Sequence, residues 1–206
     1  GLKVVAPTNA YDAKGCMISA IRDNNPVMFV EHRLLYSTDA PVPEDPYTVD
    51  FGKARVSGDG MDITLVGISY MLVECLAARD LLAEVGISAE VIDPVSLMPL
   101  DVDTIANAAQ RTGKMLVVDN AWTTAGASAE IIAAVCEHDP GKPLSFGRMG
   151  YAPTTCPTTP ELEKEFYPNA ATIAAKAYAM VRPDEAAWAP DVEPTLPHEA
   201  AFRGPF

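Results

Sequence analysis

Positive charge is scarce in this chain. Fifteen Lys and Arg stand against 28 Asp and Glu, a formal net charge of -13 over 206 residues. Binding a phosphate backbone needs clustered basic side chains, and these are scattered, so no nucleic-acid partner is expected. Long apolar runs are missing too. None approaches the ~18 residues that mark a membrane span, and no membrane partner is expected. The first residues lack a basic region followed by an apolar one, so no signal peptide is read. The chain opens on Gly1-Leu2-Lys3-Val4-Val5, without methionine and already strand-like, which predicts that an upstream part precedes it. Cysteine is sparse: Cys16, Cys75, Cys136 and Cys156 form no CxxC pair, and read as reduced thiols of a cytoplasmic protein.

Catalytic constellations are equally thin. The three histidines, His32, His138 and His198, are far apart. His138 closes a predicted helix, where a cation meets exposed carbonyls. His32 follows Glu31 at the end of a predicted buried strand, a place where parallel sheets put functional groups. A lone residue there reads first as a rim histidine. There is no GxSxG, Walker loop or HExxH, and Gly113 and Gly126 build no dinucleotide fingerprint. No catalytic residue is assigned.

What the chain does have is alternation of strand and helix. Residues 3–6 are a short apolar run ended by Pro7. Asn9 caps a helix with Asp12 three residues on, and Ala13, Cys16, Met17, Ala20 and Ile21 make one apolar stripe. Asn24-Asn25-Pro26 stops it, and residues 27–30 read as a second buried strand, completing a parallel βαβ unit. Residues 37–52, with Pro41, Pro43 and Pro46 among acids, read as a linker. A hairpin is predicted next, 53–56 and 63–68 around Ser57-Gly58-Asp59-Gly60. Helices at 70–85, 102–111, 129–137 and 169–181 then alternate with strands at 90–92, 115–118 and 144–148. That succession predicts a mostly parallel sheet covered on both faces. The tail, 182–206, is acidic and rich in proline and cannot form its own core. Trp188, Phe202 and Phe206 are its candidate anchors on a partner surface.

One corner points to an ion. The last carbonyls of a helix lack intrahelical partners, so Asp23 and Asn25 beside the backbone of Ala20 and Ile21 would gather several oxygens with one formal charge. Such a donor set suits a monovalent cation better than calcium. The simpler alternative is an Asx-type turn before Pro26.

The stretch "GLKVVAPTNAYDAKGCMISAIRDNNPVMFVEHRLLY" resembles the β subunit of thiamine diphosphate-dependent 2-oxo acid dehydrogenases of the pyruvate and branched-chain type. "EVIDPVSLMPLDVDTI" is similar to the motif of that family's second domain. The resemblance runs from residue 1 to about 181. It implies that residues 1–36 end a pyrimidine-binding domain, that 37–52 link it to a transketolase C-terminal-type doubly wound α/β domain at 53–181, and that 182–206 form an added tail. It implies a potassium ion at Ala20, Ile21, Asp23 and Asn25. It also implies thiamine diphosphate in the whole enzyme, with magnesium on a partner α subunit, a second β subunit in a heterotetramer, and an acyltransferase core. The family's catalytic glutamate and histidine precede a segment like "GLKVV", so none is expected here. This sequence departs from the pattern in three places. Val95-Ser96-Leu97-Met98-Pro99 lacks the usual arginine, Asp119-Asn120 replaces the usual acid before Thr123-Thr124-Ala125-Gly126, and "TTCPTTPELEKEFYP" replaces a proline-rich loop. These differences leave open a split transketolase-like ketol-transfer enzyme and a non-catalytic dimerisation or docking module.

Overall fold

The computed structural model describes residues 1–141 and 143–192. A small three-stranded sheet forms first. β1 (Lys3–Val5) and β2 (Val27–Phe29) are parallel, joined through α1 (Ala10–Arg22). Asn9 caps α1, its Oδ1 accepting the Asp12 amide at 2.8 Å. A 3-10 turn, Arg33–Ser37, follows β2.

The larger sheet is built by β3 (Arg55–Ser57), β4 (Ile63–Gly67), β5 (Ala89–Asp93), β7 (Lys114–Trp122) and β8 (Ser145–Tyr151), in the order β3-β5-β4-β7-β8. All strands but β3 run parallel. α2 (Met71–Glu84) and α6 (Ala170–Val181) cover one face through Leu72, Cys75, Leu82, Ile173 and Tyr178. α3 (Val102–Thr112) and α4 (Ala127–His138) cover the other through Ile105, Ala109, Ile131 and Val135. The doubly wound α/β expectation is met, because β4, buried at every position, needs a helix layer on each side. A last short helix, α5 (Pro160–Phe166), sets Phe166 beside Trp122 and Tyr151 at the sheet's carboxyl rim.

The predicted hairpin does not form. β3 pairs antiparallel with β5, Arg55 opposite Asp93 and Ser57 opposite Val91. The intervening loop crosses the start of β5 so closely that a Cβ on Gly60 would lie 2.2 Å from the Ala89 carbonyl carbon. The half-exposed β3 is thereby kept at the edge, while fully buried β4 takes two parallel neighbours.

A strand absent from the sequence reading joins the two sheets. β6 (Ser96–Met98) leaves the larger sheet after Asp93 and pairs antiparallel with β1. The turn is made by the Asp93 carboxylate, which accepts the Val95 amide at 2.8 Å, and by Val95 in the left-handed region at φ 57°. Residues 37–52 also lie packed along α1 instead of spanning open space. Val49 is buried against Cys16 and Val95, and a side chain on Gly15 would collide with Val49. Lys14 gives its ammonium to the carbonyls of Pro43, Glu44 and Asp45.

The tail begins on its own domain. The Trp188 ring stands 5.0 Å from that of Tyr178, whose hydroxyl donates to Glu185 at 2.7 Å. The other two expected anchors, Phe202 and Phe206, lie outside the described residues.

Candidate functional site

The helix-end corner folds as an Asx turn around a positive charge supplied by the chain itself. Asp23 caps α1, its N–H donating to the Ala20 carbonyl at 3.3 Å. Its Oδ1 accepts the Asn25 amide at 2.8 Å and the Asn25 side-chain N–H at 3.3 Å. Its Oδ2 receives the Lys3 ammonium. That ammonium, with help from the Asn25 amide, holds the carboxyl below the usual range. The Ile21 side chain points out, 77% exposed. Of the four residues expected to ligate potassium, Asp23 and Asn25 therefore meet each other, and Ala20 meets Asp23 through its carbonyl. An alkali ion fits this donor set only after the ammonium leaves.

The crevice where a doubly wound sheet binds ligands lies at the carboxyl ends of β4 and β7, where the strand order reverses. Here it is bridged by the protein's own groups. The Asn120 side chain donates to the Ile68 carbonyl across the gap at 3.3 Å. The first turn of α4, a natural anion seat, is taken by Asp119, whose Oδ2 accepts the Ser128 amide at 3.1 Å. Burial pushes the Asp119 carboxyl up, and the amides of Ser128, Asn120 and Ala127 pull it back. Gly126 makes this closure possible, since a Cβ there would lie 2.4 Å from the Trp122 carbonyl oxygen and 3.0 Å from Asp119 Oδ2. With its amides engaged by a carboxylate, this loop does not provide a diphosphate cradle.

The densest polar geometry lies where the two sheets meet, and the sequence reading did not anticipate it. Asp12, wholly buried, takes both Nε and Nη2 of Arg55, with Nε at 2.6 Å, and accepts the Asn9 side-chain N–H at 2.7 Å. The sequence offers Asp12 only as a first-turn acid, because its partner is 43 positions away on β3 of the larger sheet. Nearby, His32 stacks on Tyr70 with ring centroids 4.9 Å apart, and burial pushes its imidazole toward the neutral form. Tyr70 donates to Glu74 at 3.0 Å, and the other Glu74 oxygen accepts the Ala170 amide at the start of α6 at 2.8 Å. His32, read as a rim residue, so contacts a chain of groups that reaches the start of α6 on the same face of the larger sheet. These are positioning interactions: no nucleophile and general base meet among them.

Known proteins are similar to this chain in sequence and fold. The family described as "Transketolase, C-terminal domain" matches residues 52–173. The acetoin:2,6-dichlorophenolindophenol oxidoreductase subunit beta of Cupriavidus necator is 42% identical over 178 residues, 86% of this chain and 53% of that protein. The pyruvate dehydrogenase E1 component subunit beta of Bacillus subtilis is 47% identical over 136 residues, 66% of this chain and 42% of its own length. The corresponding subunit of Staphylococcus aureus is 41% identical over 179 residues, 86% of this chain and 55% of its own. The chain thus spans about half the length of these relatives. A solved structure titled "Split gene transketolase, inactive beta4 tetramer" superposes with a TM-score of 0.72 at 23% identity, covering 87% of this chain and 58% of the other, a likeness of fold. The matched residues hold every strand of the larger sheet, α2 to α5 and the first residues of α6, and this chain belongs to the transketolase C-terminal domain family, with the β subunits of 2-oxo acid dehydrogenases among its relatives.

Proposed function

We propose that this chain is part of the β subunit of a thiamine diphosphate-dependent 2-oxo acid dehydrogenase, supplying scaffold and subunit contacts. The observation that carries this is the 41% and 42% identity to β subunits over 86% of the chain. In the whole enzyme an α subunit holding magnesium, and a second copy of the β subunit, complete a cytoplasmic heterotetramer. The assembly decarboxylates a 2-oxo acid and hands the acyl group to a lipoyl carrier on an acyltransferase core. The cofactor supplies the carbanion chemistry when bound. The residues here do not form a diphosphate site, so no step of that chemistry is assigned to them. Their part is to fix the relation between two sheets, through β6, the Asp12–Arg55 pair and the His32–Tyr70 stack. Potassium, in this reading, binds at Ala20, Ile21, Asp23 and Asn25 in competition with Lys3.

The test is reconstitution. The chain is joined to the amino-terminal half of a related β subunit, combined with its α subunit, and given thiamine diphosphate and magnesium. Release of carbon dioxide from pyruvate or a branched-chain 2-oxo acid supports the reading. Cleavage of acetoin alone moves the substrate to that of the Cupriavidus necator relative, whose identity to this chain favours that second possibility. Turnover confined to a ketose donor and an aldose acceptor identifies a split transketolase instead. A soluble assembly that binds the α subunit yet turns over none of these substrates leaves a docking module.

A further inference from the structure

Residues 39–49 lie along α1 and belong to no helix or strand. Among the described residues they make no backbone–backbone hydrogen bond. Pro41, Pro43 and Pro46 remove three of the amides that could make one. The segment is held instead by side chains of the helix and its own. Ser19 Oγ donates to the Val49 carbonyl at 2.7 Å and accepts the Val49 amide at 3.2 Å. Tyr47 gives its hydroxyl to the Tyr11 carbonyl at 2.7 Å, and its ring stacks on that of Tyr11 with centroids 4.5 Å apart. Beneath the segment lies Cys16, wholly buried, with Tyr47 and Val49 among its cover.

The strongest of these attachments is a charge. The Lys14 ammonium donates to the carbonyls of Pro43, Glu44 and Asp45, the last two at 3.0 and 3.1 Å, and stands 5.2 Å from the centre of the Tyr47 ring. Three consecutive carbonyls and an aromatic face make a seat for a cation. The segment cannot fill that seat itself, since residues 37–52 contain Asp39, Glu44, Asp45 and Asp50 and no Lys or Arg. One side chain of α1 fills it. Charge-assisted hydrogen bonds are roughly twice as strong as the neutral ones that Ser19 and Tyr47 supply. All of 39–49 except Val42, Tyr47 and Val49 is exposed. Exposed segments with few backbone bonds open at lower free energy than a core does.

We propose that residues 39–49 are a strap that opens over α1 while the larger sheet stays folded, and that the Lys14 ammonium is its latch, seated among the carbonyls of 43–45. Opening uncovers Cys16 and slackens one tie between the two sheets, with β6 and the Asp12–Arg55 pair still in place. Loss of that single charge releases the strap. The device is independent of the proposed dehydrogenase reading, because every contact in it lies within this chain.

The experiment treats the full chain with iodoacetamide under native conditions and follows each cysteine by peptide mass spectrometry. Cys136 and Cys156 are exposed and label at once, whereas Cys75, wholly buried between α2 and the larger sheet, reports global unfolding. In the unaltered chain Cys16 should label at least about tenfold faster than Cys75. Lys14→Ala should raise the Cys16 rate about tenfold more and leave Cys75 unchanged. Butylammonium refills the seat with N–H donors and should bring the Cys16 rate of Lys14→Ala back toward that of the unaltered chain. Tetramethylammonium at equal ionic strength carries the charge without an N–H and should not. Equal labelling of Cys16 and Cys75 in the unaltered chain, an unchanged Cys16 rate in folded Lys14→Ala, or equal action of the two ammonium ions would each overturn the proposal. If Lys14→Ala does not fold, Lys14→Gln, which removes the charge and keeps a neutral donor, carries the same test.

Discussion

At the residue scale the molecule spends stability on three buried or capped carboxylates, and each answers to pH or substitution differently. Burial pushes Asp93 up to about 6, opposed by the Val95 amide, Thr8 and Arg55 and reinforced by Asp12. Its folded value lies above the unfolded value of about 3.9, so the native state holds the proton more tightly between about pH 4 and 6. Stability contributed by this group is present below that window and lost as pH rises through it, by about 3 kcal/mol in all. Chemical denaturation of the chain and of Asp93→Asn across that range should show the unaltered chain losing that advantage as the pH rises; parallel pH profiles would contradict it. Asp12 is the opposite case, a buried acid fully compensated by Arg55. Arg55→Met leaves its charge buried with only the Asn9 amide group and should cost about 3 kcal/mol, read as a lowered denaturation midpoint. Asp23 is held low by Lys3 at the surface. If potassium competes for that carboxylate, Lys3→Met should raise the melting temperature gained in potassium over lithium at equal ionic strength. An identical melting point in both salts for that variant would remove the ion from the corner.

At the element scale, what the sequence made legible was local. The cap at Asn9, the stop at Asn24-Asn25-Pro26 and the succession of βα units are set by neighbours within a turn or two, and each stands where its chemistry requires. The pairing of elements was less legible. A glycine-rich turn between two β-prone runs reads as a hairpin, yet β3 passes to the far side of β5 because the Gly60 loop can cross that backbone. The strand at β6 was hidden because Ser96–Met98 gains its identity from β1, some ninety residues upstream. The candidate site was hidden for the same reason: Asp12, Arg55 and Asp93 meet only after both sheets have formed. The tail, too, was read from composition, which gives no view of the Tyr178 ring that receives Trp188. Removing residues 189–206 should therefore leave the cooperative melt unchanged, whereas removal from residue 183 should cost about 2 kcal/mol by stripping an aromatic pair and the Glu185 hydrogen bond. Equal melting of the two truncations would show that Trp188 contributes nothing.

At the scale of the whole molecule the two sheets are unequal. The larger has both faces covered by helices, but the smaller has three strands of three residues each and one covering helix, too little to stand alone. It persists because β6 and the packed stretch 37–52 tie it to its neighbour. Its other surfaces stay apolar and open: Leu2, Met17, Ile21, Met28 and Val30 are 46%, 40%, 77%, 51% and 40% exposed. Among the described residues β2 has β1 on one side and no strand on the other. Such an edge pairs readily with another chain, and exposed apolar surface beyond a few hundred Å2 marks an interface. The relatives are longer than this chain, which spans about half the length of each. Joining the chain to the amino-terminal half of a related β subunit should therefore lower the binding of an apolar fluorescent dye per molecule. It should also convert a concentration-dependent association into one defined species in sedimentation. Substituting Met28 and Ile21 with Gln in the chain alone should reduce the same association without touching the larger sheet. A dye signal that stays constant on joining, together with association indifferent to Met28 and Ile21, would move the interface off the small sheet and leave β3, the other edge strand, as the surface through which copies meet.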